Sequence, residues 1–298
     1  MFQKLSVANK IAVGATLCIF VCFGIISFII SKQAYSYFYK ESVFSVKSQL
    51  TLAIDMLSSF NIASKEAAEK MASVFIDSVG DVYVDENKLV KVGDFETPEV
   101  KANGRVLNNN FDLVDNYTKH TSGSVATVFT RKGDDFIRVS TSLKKEDGSR
   151  AFGTKLDTKH PGYAKVINGE TYLGKAALFG KQYMTKYVPI KQNGKVVGIL
   201  FIGFDITPAY KSLVEKIKSL KIGESGYYYA IDTSSGDKKG NLLIHPSLEG
   251  KNLLGLTDAN GNLVFKDIIE TKEGSLEYEW KTDDGIVDKY AAFAPFKD

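Results

Sequence analysis

Cysteine is almost absent from this sequence, which has two in 298 residues, Cys18 and Cys22, both inside one apolar segment. The rest of the chain therefore has no disulfide and no cysteine metal site, and cysteine usage does not reveal the compartment. A run of basic residues is also missing, and the formal net charge is only +3. Nucleic-acid-binding proteins normally carry a clustered stripe of Lys and Arg, so we expect no nucleic-acid partner.

Catalytic motifs are missing as well. The three histidines, His120, His160 and His245, are scattered, and none has a second His, Cys or carboxylate at metal-ligand spacing. The sequence contains no nucleophile elbow, phosphate-binding loop or paired-carboxylate motif. We therefore predict no metal site, no cofactor and no enzymatic activity.

Charge is absent from residues 11–30, which form an uninterrupted apolar run. A helix rises ~1.5 Å per residue, so such a run spans the ~30 Å hydrocarbon core of a bilayer. No small-x-small cleavage site follows Ile30, which favours an uncleaved transmembrane helix over a signal peptide. Lysines flank both ends, so the positive-inside rule does not decide the orientation.

Proline and glycine are absent from residues 31–79, which predicts a long helix that continues out of the membrane. Apolar residues recur there at alternating spacings of four and three, the pattern of a heptad seam. The seam residues are Tyr39, Val43, Val46, Leu50, Ala53, Leu57 and Phe60. Two interpretations remain open, a homodimer contact through the long helix or a stripe that packs on the chain's own domain.

The stretch that organises the remainder is a β-hairpin. Two apolar runs, residues 187–190 and 196–202, flank Asn193 and Gly194, a dipeptide that adopts the positive φ angles of a tight turn. Gly198 interrupts the second strand and predicts a bulge or a close approach of another backbone.

Further strand and helix signals surround this hairpin. Residues 81–116 are polar and predict an irregular passage with short strands. Thr207 is expected to cap a helix that has Pro208 at its first position and is stopped by Gly223. Strands are expected at 124–130, 136–143, 152–156, 171–173, 227–231, 241–245 and 276–281, and short helices at 163–167 and 265–271.

The order of these elements repeats along the chain. In the second copy the polar insert 143–151 is missing. An architecture repeated in tandem is expected to show this kind of ordered self-similarity. The matching segments are GSVATVF (123–129) with GYYYAID (226–232), IRVSTS (137–142) with LLIHPS (242–247), GTKL (153–156) with GKNL (250–253), and KYVPIK (186–191) with AFAPFK (292–297).

These segments resemble Cache domains, the extracytoplasmic sensing modules of bacterial transmembrane receptors, in the double form found in methyl-accepting chemotaxis proteins. The first copy carries the resemblance in FIRVSTSLKKEDGSRAFGTKL (136–156), NGETYLGKA (168–176) and YMTKYVPIKQNGKVVGILFIG (183–203). The second carries it in GESGYYYAID (223–232), LLIHPSLEGKNL (242–253) and FAPFKD (293–298). It covers nearly everything after Ser31, and it indicates the fold better than it indicates the ligand.

The resemblance implies an α+β fold with one transmembrane helix, a long N-terminal helix, and two tandem PAS-like Cache modules with antiparallel sheets. The second module is expected to be incomplete, because the sequence stops inside the second copy of the hairpin that ends the first module. The expected segments are a cytoplasmic N-terminus (1–10), a transmembrane helix (11–30), a membrane-emergent helix (31–79), a membrane-distal module (80–206), a junction helix (207–222) and a truncated membrane-proximal module (223–298).

The implied function is that of a chemoreceptor's sensor region. It would lie in the bacterial cytoplasmic membrane, with residues after about 31 outside the cytoplasm, and signal to a cytoplasmic chemotaxis domain. Two alternatives stay open. The same sensor could serve a histidine kinase or a cyclic-nucleotide enzyme, or the chain could be an anchored binding or adhesion protein without signalling.

A binding site is expected on the concave face of the first sheet. Alternation along strand 136–143 predicts that Arg138, Ser140 and Ser142 share one face. Cations with hydroxyl and phenol groups suit a small carboxylate more than an amino acid, which would also need a carboxylate such as Asp157 or Asp205 for its ammonium. The candidate ligand-binding residues are Arg138, Ser140, Ser142, Arg150, Thr154, Lys155, Tyr172, Tyr183, Thr185 and Tyr187.

Overall fold

The computed structural model describes residues 6–121 and 123–296. Its first element is one continuous helix, α1 (Val7–Val79), so the helix predicted at 31–79 is confirmed. Gly80, with φ of +67°, ends it, as glycine commonly does after a helix. By length and composition α1 includes a stretch that is apolar enough to cross a membrane, and that stretch is not buried by the rest of the chain.

Some of the seam residues of α1 pack against other parts of the same chain. Ala53 is buried, and Phe60 packs against the core of the first module and against the ring of Tyr210. Buried positions then continue along the same stripe through Ala68, Ala72 and Phe75. Packing on its own domain is therefore what this stripe does in the structure, and the dimer contact stays a prediction.

The region expected to be irregular is an ordered sheet followed by a helix, so that expectation is wrong. Pro98 lies in the second strand opposite Leu89, next to the point where the register of the first strand shifts, and prolines within sheets are typically found at such bulges. The elements are β1 (Val82–Val92), β2 (Phe95–Ala102), β3 (Arg105–Val106) and α2 (Asp112–His120).

The first module is built on a five-stranded antiparallel sheet with the order β5-β4-β8-β7-β6. Its hairpin turn has Asn193 at φ +52° and Gly194 at φ +76°, as predicted. The strand predicted at 152–156 is reduced to an isolated bridge between Ile137 and Lys155. The elements are β4 (Ser124–Lys132), β5 (Asp135–Thr141), α3 (Pro161–Ile167), β6 (Tyr172–Leu178), β7 (Lys181–Gln192) and β8 (Lys195–Asp205).

The two faces of this sheet belong to two different cores. One face packs against α1, α2 and the β1–β2 sheet, and its buried residues include Phe75, Val114, Val128, Val139 and Met184. The other face packs against α3 and the segment before it, and its buried residues include Phe129, Phe136, Leu156, Val166, Tyr187, Ile199 and Phe201.

A helix, α4 (Thr207–Ser219), follows the sheet, but Thr207 is not its cap. Ile206 occupies the cap position, Thr207 is the first helical residue, and the side chain of Asp205 accepts from the Thr207 N–H at 2.9 Å. The helix ends at Ser219, ahead of Gly223. By its contacts the chain divides into two compact units, Met56–Lys221 and a second unit of the N-terminal part of α1 with Ile222–Phe296.

The second module contains two separate two-stranded sheets, β10-β9 and β11-β12. Its core brings together Leu242, Leu253, Phe265 and Ile268. The predicted match of residues 292–297 with the first hairpin runs past the described residues at Lys297. The elements are β9 (Ala230–Ile231), β10 (Leu242–Ile244), α5 (Val264–Thr271), β11 (Gly274–Thr282) and β12 (Gly285–Phe293).

The same backbone pairing recurs in both modules. The N–H of Gly153 donates to the carbonyl of Arg138 at 2.8 Å, and the N–H of Gly250 donates to the carbonyl of Leu242 at 2.8 Å. In each case the glycine has a positive φ, a conformation that glycine adopts at no steric cost. It lets the segment after the strand turn back and hydrogen-bond to that strand. The repeat is therefore present in the structure, but shifted by one residue from the predicted match: Leu242 takes the place of Arg138, whereas the sequence match paired Leu242 with Ile137.

Candidate ligand-binding site

Arg138 lies on β5 and points into the second core of the first module. Arg138 is 5% exposed, and its guanidinium lies 4.9 Å from the ring centre of Phe129. Nη1 donates to Thr154 Oγ1 and to the carbonyl oxygen of Lys155, both at 2.8 Å, whereas Nε is buried without a hydrogen-bond partner among the described residues. Burial lowers the pKa of Arg138, yet a guanidinium keeps its proton in proteins. The site therefore contains a buried positive charge.

Two further donors lie in the same core as this guanidinium. The Tyr187 ring packs at 4.7 Å from Phe201 and 5.2 Å from the His160 ring, and its hydroxyl is buried with no hydrogen-bond partner that the described residues supply. Nδ1 of His160 accepts from the Gly162 N–H at 3.0 Å, so the neutral ring carries its proton on Nε2. That Nε2 is also buried and has no partner in the described part of the chain.

Burial sets the protonation of these side chains. It lowers the pKa of His160; the charge of Arg138 acts in the same direction and Asp157 opposes it. It raises the pKa of Tyr187, although the charge of Arg138 opposes that shift. Near neutral pH the cluster of Arg138, His160 and Tyr187, which we call the donor cluster, therefore presents three N–H or O–H donors and no carboxylate.

Four of the other predicted residues lie on the same face of the sheet. Thr154 connects the cluster to the segment 143–156. It accepts a hydrogen bond from Arg138 and donates one to the Ala151 carbonyl at 2.7 Å. Tyr172 packs at 5.3 Å from His160 and 5.9 Å from Tyr187, and burial raises its pKa. Thr185 donates to the Gly174 carbonyl, and Tyr183 packs against Leu143 and Ala151 in a small adjoining core.

Ser140 and Ser142 lie away from the cluster, so the prediction that they share a face with Arg138 is wrong. The register of β4 and β5 shifts, with Val128 opposite Ser140 and Phe129 opposite Arg138. Because adjacent residues of a strand face opposite sides, this bulge puts Arg138 and Ser140 on opposite faces. Ser140 donates to the Asn110 carbonyl, and Ser142 accepts from Thr118 on α2.

Arg150 and Lys155 have carboxylate partners outside the cluster. Arg150 holds Asp115 of α2 with both terminal nitrogens, at 2.7 and 2.9 Å, and lies 4.3 Å from the ring centre of Phe111. Lys155 pairs with Asp135 at 2.6 Å. Their side chains therefore fasten the segment 143–156 to its neighbours. The structure does not bring their charged groups to Arg138.

Sequence reasoning missed His160 as a site residue. It was weighed only as a metal ligand, and the described residues contain no group of three His, Cys, Asp or Glu that could hold a metal. The available signal was the His-Pro-Gly turn before α3, because a histidine at a helix cap can accept from a backbone N–H and aim its other nitrogen inward.

These features define a class of protein. An apolar helix leads into two antiparallel-sheet modules, and one of them buries a cluster of polar side chains. The chain belongs to the Cache 3/Cache 2 fusion domain family, whose model matches residues 37–298. Cache domains are ligand-binding, non-catalytic sensor domains, and with the apolar helix they fit a membrane protein whose sensor is extracytoplasmic.

Several solved sensor domains are similar to this chain, all at low identity. One is the ligand-binding domain of the Pseudomonas aeruginosa amino acid chemoreceptor PctC in complex with GABA, at 16% identity, with 85% of this chain and 92% of that chain covered and a TM-score of 0.48. Another is the periplasmic sensory domain of the Campylobacter jejuni chemoreceptor Tlp1, at 15% identity, 85% and 89% coverage and a TM-score of 0.42.

A histidine kinase sensor is also similar, over a shorter stretch. The sensor domain of Vibrio cholerae DctB shares 10% identity, with 59% of this chain and 67% of that chain covered and a TM-score of 0.35. No curated protein is similar enough to this chain to count as a match. The family model, and not these structures, therefore defines the class of the protein.

Proposed function

We propose that this chain is the ligand-sensing region of a transmembrane chemoreceptor and that its first module binds a small carboxylate at the donor cluster. One observation carries this proposal: Arg138 Nε, His160 Nε2 and the Tyr187 hydroxyl, on side chains of one core, are all buried without acceptors from the described residues. Leaving a buried donor unpaired costs about 1–3 kcal/mol, and more for a charged group. A carboxylate offers acceptor oxygens to such donors and neutralises the guanidinium.

The cluster suits a carboxylate better than an amino acid because it consists of donors and a positive charge, and one of the two nearby acidic groups is already in an ion pair. Asp205 pairs with Lys181 at 2.9 Å and accepts from the Thr207 N–H. Asp157 accepts from the Lys159 N–H at 2.9 Å. An amino acid's ammonium would therefore enter a site of donors and positive charge, which costs affinity.

The ligand would reach the cluster beneath the segment 143–160, which lies between β5 and α3. Thr154 and the Lys155 carbonyl hold Arg138 from this segment, so binding and the position of the segment are linked. In the receptor we propose, the bound state biases α1 between two arrangements, with a coupling of about 1–3 kcal/mol. The cytoplasmic output would be a chemotaxis signalling domain.

The test is a ligand screen on the full chain in lipid nanodiscs, with short-chain acids, dicarboxylates and amino acids as probes. A ligand at one hundred times its dissociation constant should stabilise the first module by about 2.7 kcal/mol. Isothermal titration then compares Arg138→Leu, His160→Gln and Tyr187→Phe with the matched controls Arg150→Gln and Lys155→Gln.

We expect the Arg138 variant to weaken carboxylate binding by about tenfold to a hundredfold, the worth of one charge-assisted hydrogen bond. The two control variants should bind as the unchanged chain does. Amino acids that bind as tightly as the matching carboxylates would contradict the ligand class. Carboxylate binding that survives Arg138→Leu would remove the cluster from the site.

A further inference from the structure

A second polar concavity lies at the end of the first module where its turns meet. It has a volume of about 470 Å³, within the range of about 300–1,000 Å³ that is usual for small-molecule sites. None of the donor-cluster residues lines it. The lining residues that matter are Glu86 of β1, Arg131 of β4, Gly169 after α3, and Lys191, Gly194 and Lys195 of the β7–β8 hairpin. We call this concavity the basic groove.

The cations of the basic groove lack strong anionic partners. Lys191 and Lys195 have no ion pair with any residue that the structure describes, and Arg131 reaches only Asp134, at 3.3 Å, whose side chain is 88% exposed. Exposed pairs of this kind contribute about 0–1 kcal/mol. By contrast, carboxylates hold Lys88, Lys101, Lys155, Lys165, Lys181 and Lys186 of the same module.

The backbone holds Arg131 in place and sets the direction in which Lys191 leaves its strand. Arg131 Nε donates to the Gly133 carbonyl at 2.7 Å and Nη1 to the Val196 carbonyl at 3.4 Å, which fixes the plane of the guanidinium. The β7–β8 register shifts between Ile190 and Lys191, and such a bulge re-aims the side chain that follows. The entropy of ordering the Arg131 side chain has been partly lost before any ligand arrives.

Glycine makes room for the lysine on the opposite wall. Gly169 has φ of +79°, and a Cβ atom there would lie 2.8 Å from Lys191 Cε and 3.0 Å from its Nζ. Any other residue at this position would push the ammonium away. Gly194, at φ +76° in the hairpin turn, leaves bare backbone at the rim.

From these observations we propose that the basic groove binds a small multivalent oxyanion, independently of the donor cluster. Three cations face one carboxylate, Glu86, so the lining carries a net charge of +2 that matches a dianion. Multivalent carboxylates and phosphate share this chemistry. The fixed guanidinium of Arg131 supplies a positive charge at a set position and has further N–H groups on its terminal nitrogens, and the two ammonium groups supply charge without a fixed geometry.

The experiment titrates citrate, succinate and inorganic phosphate in separate arms into the full chain in zwitterionic-lipid nanodiscs at low ionic strength. In the Arg138→Leu background, where the donor cluster does not contribute, we expect one saturable site that the double variant Lys191→Gln/Lys195→Gln weakens at least tenfold. The matched control Lys211→Gln/Lys251→Gln removes the same charge from exposed positions elsewhere and should change binding less than twofold. Arg138→Leu should leave this site intact, which separates it from the donor cluster.

Each outcome decides the proposal. Citrate and succinate binding without phosphate binding assigns the site to carboxylates, and the reverse assigns it to phosphate. Equal weakening by both double variants would show general charge attraction and overturn the proposal. So would the absence of saturable binding in every arm, provided that hydrogen exchange shows the first module folded.

Discussion

The two modules use one backbone pairing to hold different side chains. Arg138 of the first module corresponds to Leu242 of the second, since the same glycine hydrogen bond reaches both. Tyr187 corresponds to Phe293, and each is opposite the first residue of its neighbouring strand, Tyr172 in one module and Gly274 in the other. The second module therefore fills with apolar groups the place where the first buries donors. A shared fold does not imply a shared ligand site.

The modules also differ in how their strands join. In the first, β8 pairs with both β4 and β7 and makes one five-stranded sheet. In the second, β9-β10 and β11-β12 remain separate pairs within the described residues. The comparison shows that β8 is the strand that unites two hairpins into one surface, and the donor cluster lies on that surface.

The largest effect should come from giving the second module the side chain of the first. Leu242→Arg would bury a guanidinium among Leu253, Phe265 and Ile268 without an acceptor. We expect a loss of about 4 kcal/mol, as for other uncompensated buried charges. Hydrogen exchange of the β9–β12 amides should then accelerate while the first module is unchanged.

The neighbouring residue provides the control for this variant. Leu243 is 52% exposed, so Leu243→Arg should leave exchange unchanged. If Leu242→Arg were tolerated equally well, the second module would have room for a polar site of its own.

The next effect concerns the uniting strand. A Cβ atom on Gly198 would lie 2.4 Å from the Phe129 carbonyl oxygen, so Gly198→Ala should force β8 away from β4 and cost about 2 kcal/mol. Gly255→Ala, in the second module, meets no atom within 4 Å and is the matched control. Urea unfolding monitored by exchange at β4 and β8 measures the difference. Equal behaviour of the two variants would argue against a tight β4–β8 contact.

A smaller effect tests the segment that only the first module has. Asp115→Asn removes the partner of Arg150, and we expect a loss of about 1 kcal/mol at most for this partly exposed pair. Exchange in residues 143–150 should increase, while carboxylate affinity stays the same because Thr154 and the Lys155 carbonyl still hold Arg138. Asp112→Asn in the same helix turn is the control. A parallel loss of affinity would return Arg150 to the binding site.

The smallest effect is a pH dependence specific to the first module. His160 has a pKa below its ordinary value of 6.5, so between these two pKa values the unfolded chain binds more protons than the folded one. The contribution is therefore fully present above about pH 6.5 and is lost as the pH falls below it. Thermal unfolding from pH 7.5 to 5.5 should show this loss, and His160→Gln should reduce it.

The control for that experiment is His120→Gln, on the exposed surface of α2. Its pH profile should match that of the unchanged chain. A His160 variant with the same acid sensitivity as the unchanged chain would show that the ring is not held neutral by its surroundings.

Local patterns predicted the hairpin, α3 and α5 because turn chemistry and period are properties of short stretches. They failed for β1 and β2, where polar residues and Pro98 conceal strands whose pairing is decided by partners elsewhere. They also failed at Ser140, because alternation assumes regular pairing and the bulge opposite Val128 and Phe129 depends on β4. His160 was missed because its role arises from three elements meeting. The distance between these residues along the sequence does not reveal that they come together in the fold.

The position of β8 has a consequence for how the first module is made. β8 is the last of the five strands along the chain, yet it is the central strand of the sheet. There its residue Phe204 pairs with Ser124 of β4. Contacts so distant in sequence slow folding, and the inner edges of β4 and β7 stay open until β8 arrives. During synthesis the sheet therefore cannot close until residue 205 has emerged. The exposed edges would then be natural substrates for a chaperone.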